Sequence, residues 1–410
     1  MPRVLLLLPT TTYRAADFLS AASSLRADVV VASEEPSALE GLNPSGLLTL
    51  DFRDPAACAR EALEFSRRHP IDAVVGVDEE TAVAAAAISD ALELPHNAVE
   101  AAEAAADKGR MRELLARGGA RSPSFRVVGA TEDPRGAAAS TAYPCVLKPT
   151  FLSGSRGVIR ANDSEQFVAA WGRILAILRE PDVSRRGGAK AGRILVEDFV
   201  PGIEVALEGI LTGGRLRTLA LFDKPDPLNG PFFEETIYVT PSRLSRDVQA
   251  AIEEETACGA RALGLAHGPV HAELRWNDRG AWIVELAARA IGGLCSRTLR
   301  FGAGVRLEEL VVRQALGQDV ADLRRDERAS AVMMIPIPGK GIYETVEGLD
   351  EARRVAAIEE ITISARPGQT LVPLPEGSRY LGFIFSRAET PEAAEAAVRE
   401  AHRQLRFRIQ

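Results

Sequence analysis

Two apolar β runs, each broken by a single carboxylate, constrain this chain more than any other feature. They are Val270-His271-Ala272-Glu273-Leu274-Arg275-Trp276 and Trp282-Ile283-Val284-Glu285-Leu286-Ala287. Between them, Trp276-Asn277-Asp278-Arg279-Gly280 has the residues of a tight turn, so the pair reads as a hairpin. Alternation along the second strand puts Ile283, Glu285, Ala287 and, if the strand extends that far, Arg289 on one face. By the same rule His271 shares a face with Glu273. Two carboxylates on neighbouring strands repel and are desolvated together, which is costly unless a cation lies between them. Magnesium is the natural candidate, because it takes hard oxygen ligands from one or two carboxylates plus substrate phosphates. Arg289 and Gly292-Gly293 just beyond would receive the anion that the metal helps to carry.

The chain of 410 residues is long for one core and is expected to form several domains. Its apolar fraction of 46% and charged fraction of 26% are those of a globular protein. A net charge of -8 without Lys/Arg blocks argues against nucleic acid as a partner. Cys58, Cys145, Cys258 and Cys295 are isolated, which disfavours zinc or a disulfide framework and fits a reducing cytoplasm. The apolar run near the N-terminus is too short for a signal peptide, and no stretch is long enough to span a membrane.

Strand and helix signals alternate in the first hundred residues: strands at 4–8, 29–32, 47–50 and 71–77, helices at 15–25, 55–68 and 80–92. Apolar runs without alternation, separated by helices, predict a parallel sheet covered on both faces. Ligands of such sheets sit at the carboxyl ends of the strands. Thr10-Thr11-Thr12-Tyr13-Arg14 and Asp78-Glu79-Glu80 occupy two such ends, as substrate contacts or as solvated loops. The expected fold class is α/β, with α+β character in the later parts. The expected domains are a Rossmann-like one over 1–106, a central two-lobed one over 107–316 with a lid at about 125–195, and a C-terminal α+β one over 317–410. Residues 185–192, rich in Arg and Gly, are expected to form a mobile surface loop. Thr390 and Pro391 read as N-cap and N1 of a closing helix.

Several elements ahead of the carboxylate pair carry charge or glycine. Lys108 opens a helix, and Lys148 ends the strand-like Cys145-Val146-Leu147-Lys148-Pro149. Ser153-Gly154-Ser155-Arg156-Gly157-Val158 can turn successive backbone N–H groups onto a phosphate without interference from Cβ atoms. Lys148 would add the point charge that a polyphosphate needs. The run Ile194-Leu195-Val196-Glu197-Asp198-Phe199-Val200-Pro201-Gly202-Ile203-Glu204 joins two strands by a linker able to present backbone groups to an adenine edge, with Glu204 reaching a ribose hydroxyl. Each of these, taken singly, is an ordinary turn or hairpin.

Their order, Lys108, Lys148, Gly-rich loop, Glu197–Glu204 linker, Glu273, Glu285, Arg289, resembles the ATP-grasp superfamily over roughly residues 1 to 315. Within it, Tyr13-Arg14, Phe233-Glu234-Glu235 before Val239-Thr240-Pro241-Ser242, and the C-terminal part are most similar to the amino-acid ligases that make dipeptides. The resemblance implies an ATP-dependent ligase that joins a small carboxylate to an amine through an acyl phosphate. It implies Lys108 and Lys148 on the α/β phosphates, the Ser153–Val158 loop (Ser153, Gly154, Ser155, Gly157, Val158) over the triphosphate, Glu197, Phe199 and Val200 at adenine, and Glu204 at the ribose. Glu273 and Glu285 would hold two Mg²⁺, or Mn²⁺ in their place. Arg289, with Lys148, would stabilise the acyl phosphate and what forms from it. Glu234 and Glu235 would hold a substrate ammonium or form an exposed lid pair, while Gly292 and Gly293 complete the substrate end. A homodimer is the expectation by analogy. The chain departs from the pattern at Ala287, where the family usually has an Asn that supplies a metal oxygen; water or phosphate then fills that place, or the second magnesium binds more weakly. His271 reads as a hydrogen-bond partner behind Glu273, Cys295 as pocket wall, and 223–226 as a loop shaping the substrate entrance. The rival functions are a carboxylase or purine-type ligase on the same ATP site, and a nucleotide-binding module without turnover.

Overall fold

The computed structural model describes residues 1–410, and its α/β class is the expected one. The N-terminal sheet is parallel, in the order Leu47–Thr49, Asp28–Ser33, Arg3–Leu7, Ala73–Gly76. The inner strand Arg3–Leu7 is apolar from Val4 onward because both its faces are covered there. Val4 and Leu6 join Phe18 and Val311 in one core, while Leu5 and Leu7 join Cys58 and Ile88 in another. The helix Pro55–Ser66 begins as its sequence dictates, with Pro55 at N1 and Asp54 accepting from the Ala57 N–H.

A small lobe follows, an antiparallel sheet in the order Phe125–Gly129, Arg193–Asp198, Cys145–Pro149, Ile159–Ala161. The helix Ser164–Leu178 covers it with Phe167, Ala170, Trp171, Ile174 and Leu178, a stripe at helical spacing. The expected surface loop at 185–192 is instead helical: Pro181–Gly187 forms an α-helix and Gly188–Gly192 a 3₁₀ turn. Pro181 sets the first turn, and Val183 and Gly187 are buried, Gly187 so closely that an added Cβ would lie 2.3 Å from the Phe151 ring.

The largest sheet has eight strands: Gly280–Ala287, Gly268–Asn277, Ile203–Thr212, Arg215–Asp223, Ile237–Thr240, Ala329–Ile335, Gly382–Ala388 and Ile358–Ile363, each antiparallel to its neighbour. The helix Arg246–Leu263 packs on one face, capped by Ser245 and ended by the left-handed Gly264. The closing helix Pro391–Gln404 has Thr390 as N-cap, as expected. The helix Val99–Ala105 and the paired strands Gly341–Glu347 and Arg406–Ile409 were not anticipated. In the strands, polar residues are as many as apolar ones, so no core face stands out.

Candidate active site

One large cleft, of about 550 Å³, opens between the small lobe, the eight-stranded sheet and the strand ends of the N-terminal sheet. Of the nucleotide, metal and substrate residues that the resemblance implies, all line it except Gly157 and Glu234, whereas Thr10, Arg14 and the loop 223–226 do not. Gly157, within the Gly-rich loop, has φ +74° and packs against Pro149, to which an added Cβ would come within 2.9 Å. Glu234 is half-buried beside the cleft, and burial raises its carboxyl pKa.

The hairpin sets the two carboxylates directly opposite each other, Glu273 against Glu285. The alternation predicted for the second strand fails at one point, because the register slips by one residue and leaves Val284 as a bulge. Ile283 therefore does not share a face with Glu285. It joins Leu286 in the core under the helix Arg246–Leu263, whereas Val284 and Glu285 both face the cleft. The strand ends at Ala287, so Arg289 reaches the cleft from the following loop. Ala287 is buried and pairs with His271 across the hairpin.

Each carboxylate has its own ammonium. Lys108 Nζ lies 3.2 Å from Glu285 and donates to the Leu152 carbonyl at 2.8 Å. Lys224 Nζ lies 3.2 Å from Glu273 and 2.9 Å from Glu204, and also contacts Glu235. Glu204, Glu235 and Glu273 bring one oxygen each within 4.8 Å of one another. Burial and then the neighbouring Glu273 push the Glu235 carboxyl up to about 7. Burial works against the charge of Glu273 too, but Lys224 and His271 outweigh it and hold that carboxyl well below the usual range. The carboxylate oxygens of Glu204, Glu235 and Glu273 suit a hard divalent cation, which Glu273 would hold together with Glu285, its partner across the hairpin. His271 lies behind Glu273 as expected: Nδ1 contacts Glu208, and Nε2 is 3.4 Å from Glu273 Oε1. Burial disfavours its charge, but Glu208 overrides this and raises its pKa to about 9.

Towards the small lobe, Lys148 Nζ lies 2.7 Å from Glu197, whose carboxylate also receives Arg112 at 3.1 and 3.2 Å. All three side chains are buried. Burial lowers the Lys148 pKa; it would raise that of Glu197, but Arg112 and Lys148 keep the carboxylate ionised. The Glu197 carboxylate is thus engaged in positioning Lys148. Glu204 is likewise committed, to Lys224 and to Arg275 at 2.9 Å. Arg275 also donates to the Val200 carbonyl at 2.9 Å and stands 5.0 Å from the Phe199 ring, which Arg160 approaches to 4.0 Å. The linker is therefore clamped from beneath by a residue of the strand that carries Glu273.

The strand ends of the N-terminal sheet divide their roles. Thr11, Thr12, Tyr13, Asp78, Glu79 and Glu80 line the cleft, and Glu79 accepts from Arg289 at 2.9 Å. Arg14, next to Tyr13, is turned away and buried against Glu308 at 3.5 Å, with Nη1 donating to the Val77 carbonyl at 2.9 Å. It is thus a strut of the interior and not a cleft cation. Cys295 is pocket wall, its thiol pKa raised by burial. Sequence reading missed Arg112, Lys224, Arg275 and Glu208. Only Arg112 carried a signal, since it lies one helical turn after Lys108 on the same face.

Comparison with known proteins matches three family models to the chain: an ATP-grasp N-terminal domain over residues 19–96, an ATP-grasp domain over 141–298, and L-amino acid ligase C-terminal domain 2 over 333–410. The protein y4rH of Sinorhizobium fredii is 22% identical over 404 residues, 98% of this chain and 82% of its own length. An alanine–anticapsin ligase of Bacillus subtilis is 28% identical over 265 residues, 62% of this chain but only 55% of that enzyme. The crystal structure of an L-amino acid ligase from Bacillus licheniformis superposes with a TM-score of 0.84 at 25% identity, covering 100% of this chain and 99% of the other.

Proposed function

We propose, from the premise that this chain belongs to the ATP-grasp superfamily and resembles the L-amino acid ligases, that it joins a small carboxylate to an amine in an ADP-forming, amide-producing reaction. The observation that carries this reading is the opposed Glu273/Glu285 pair, set in one cleft with Lys108, Lys148 and Arg289. ATP would lie between the small lobe and the large sheet, its base on the Phe199–Val200 linker and its phosphates under the loop from Ser153 to Val158. Magnesium held by Glu273 and Glu285 would neutralise phosphate charge. Lys148, fixed by Glu197 and Arg112, and Lys108, fixed by the Leu152 carbonyl, are already aimed and need little reorganisation.

The substrate carboxylate attacks the γ-phosphorus, releasing ADP and leaving an acyl phosphate. The amine then attacks the acyl carbon, and phosphate departs with the amine's proton. Arg289, held by Glu79, faces the charge that develops on these oxygens. Holding the reactants together accounts for roughly 7–11 kcal/mol of the barrier. Glu235 and its acidic neighbours suit a substrate ammonium better than the bicarbonate of a carboxylase.

The test is a phosphate-release screen over pairs of amino acids and other small carboxylates and amines. It is followed by turnover of the active acid labelled with oxygen-18. Labelled phosphate and ADP are expected, with a hydroxamate when hydroxylamine replaces the amine. AMP and pyrophosphate would refute the acyl-phosphate route, and no release with any pair would leave a nucleotide-binding module without turnover.

A further inference from the structure

Nearly every cation lining the cleft is already matched by an acid. Lys108, Lys148, Arg156, Arg186, Arg275 and Arg289 each contact a carboxylate. Arg379 also lines the cleft but is exposed there, and it makes no ion pair and no side-chain hydrogen bond. It comes from the C-terminal part of the chain, just ahead of the strand Gly382–Ala388.

The segment that carries Arg379 is fastened to the small lobe. Gly157 N–H donates to the Pro375 carbonyl at 2.8 Å, and Arg156 Nε donates to the Glu376 carbonyl at 2.7 Å. The Glu376 carboxylate accepts from both Arg173 Nε and Nη2, at 2.7 and 2.8 Å. Ser378 stands so near Gly154 that a Cβ there would be 3.4 Å away. On the other side of Arg379, Tyr380 lies edge-on to Phe383 at 6.2 Å, and Phe383 is edge-on to Tyr13 at 6.2 Å. Arg379 therefore stands at the junction between the Gly-rich loop and an aromatic wall, on a tether that does not depend on its own side chain.

We propose that Arg379 binds the carboxylate of the amine-donating substrate, so that this substrate is an amino acid and not a simple amine. The proposal rests on the ligase reading above. The cleft walls carry more carboxylates than cations, Glu235, Glu273 and Glu285 among them. Such a cleft admits an ammonium readily but repels a carboxylate unless an unmatched cation meets it. The triphosphate end is already served by Lys108, Lys148 and Arg289, whereas Arg379 retains its full hydrogen-bonding fork. A guanidinium offers a carboxylate two parallel N–H donors, which also fixes the orientation of the amine.

The experiment compares the wild type with Arg379→Ala and Arg379→Lys. The amines are each common amino acid that stimulates phosphate release, the α-amide of that amino acid, and hydroxylamine. The wild type should prefer the amino acid to its amide in kcat/KM, and Arg379→Ala should reduce this preference about 10- to 100-fold, mainly through KM for the amino acid. Arg379→Lys should retain part of it. The inference is overturned if the wild type uses amide and amino acid equally, if only simple amines react, or if Arg379→Ala lowers both substrates by the same factor. Failure of the ligase reading is separate, since no amine, hydroxylamine included, would then be acylated by the wild type.

Discussion

Replacing Arg14 by Met should unfold this protein far more readily without changing how it binds substrates. Arg14 and Glu308 are about as buried as any residues in the chain, at 1% exposure each. Their charged groups lie 3.5 Å apart, which corresponds to about 5 kcal/mol of attraction at an effective dielectric constant of about 20. Methionine fills a similar length, but it leaves Glu308 buried without a cation and the Val77 carbonyl without its donor. Breaking one side of such a pair typically costs about 3–5 kcal/mol, because the remaining charge has lost its compensation. The double variant Arg14→Met/Glu308→Leu should recover most of that loss, since it removes both charges together. Urea unfolding followed by circular dichroism measures both effects, and steady-state kinetics at low temperature should give KM values within about twofold of wild type. A stability loss below about 1 kcal/mol, or a double variant no better than the single, would refute the strut. A raised KM at unchanged stability would return Arg14 to the cleft.

Glu285→Ala should abolish turnover and Glu273→Ala nearly so; more than about a tenth of wild-type activity, roughly 1.4 kcal/mol of barrier, would overturn the metal assignment. Lys148→Ala should weaken ATP binding more than binding of the acid or amine, and unchanged ATP affinity in a calorimetric titration would contradict its role. Ala287→Asn should destabilise by about 1–3 kcal/mol, because Ala287 is buried opposite His271 in the hairpin and a larger polar side chain there must be desolvated and accommodated. Unchanged melting together with a lower magnesium requirement would show that the amide reaches the metal instead.

The sequence was most legible where chemistry coincides with local periodicity. Glu273 and Glu285 stood out because a charge in an apolar strand has few structural excuses, and the turn between them fixed their pairing. The bulge at Val284 was invisible, since nothing in Ile-Val-Glu-Leu marks the extra residue that sends Ile283 to the core. Lys224 read only as part of a loop shaping the substrate entrance, because its three acids, Glu204, Glu235 and Glu273, each lie on a different segment. The part played by Arg14 in the interior was hidden for a related reason: its segment read as substrate contacts or solvated loop, because Glu308 lies almost three hundred positions away and no local pattern points to it. What escaped was thus the long-range pairing of charges, which depends on how the sheets are stacked and not on any one segment.

The eight-stranded sheet has a consequence for how such a chain can change over generations. Ile237–Thr240, which follows the acidic segment of the cleft, is hydrogen-bonded to Ala329–Ile335 of the C-terminal part. The seam between these two parts is therefore a row of backbone hydrogen bonds and not a flexible tether. Exchanging the last eighty residues with those of a distant relative would have to preserve strand register as well as surface fit. Inheritance of the C-terminal part is in this sense tied to inheritance of the chemistry, and diversification is channelled into the loops that hang from the shared sheet, such as the one carrying Ser378, Arg379 and Tyr380.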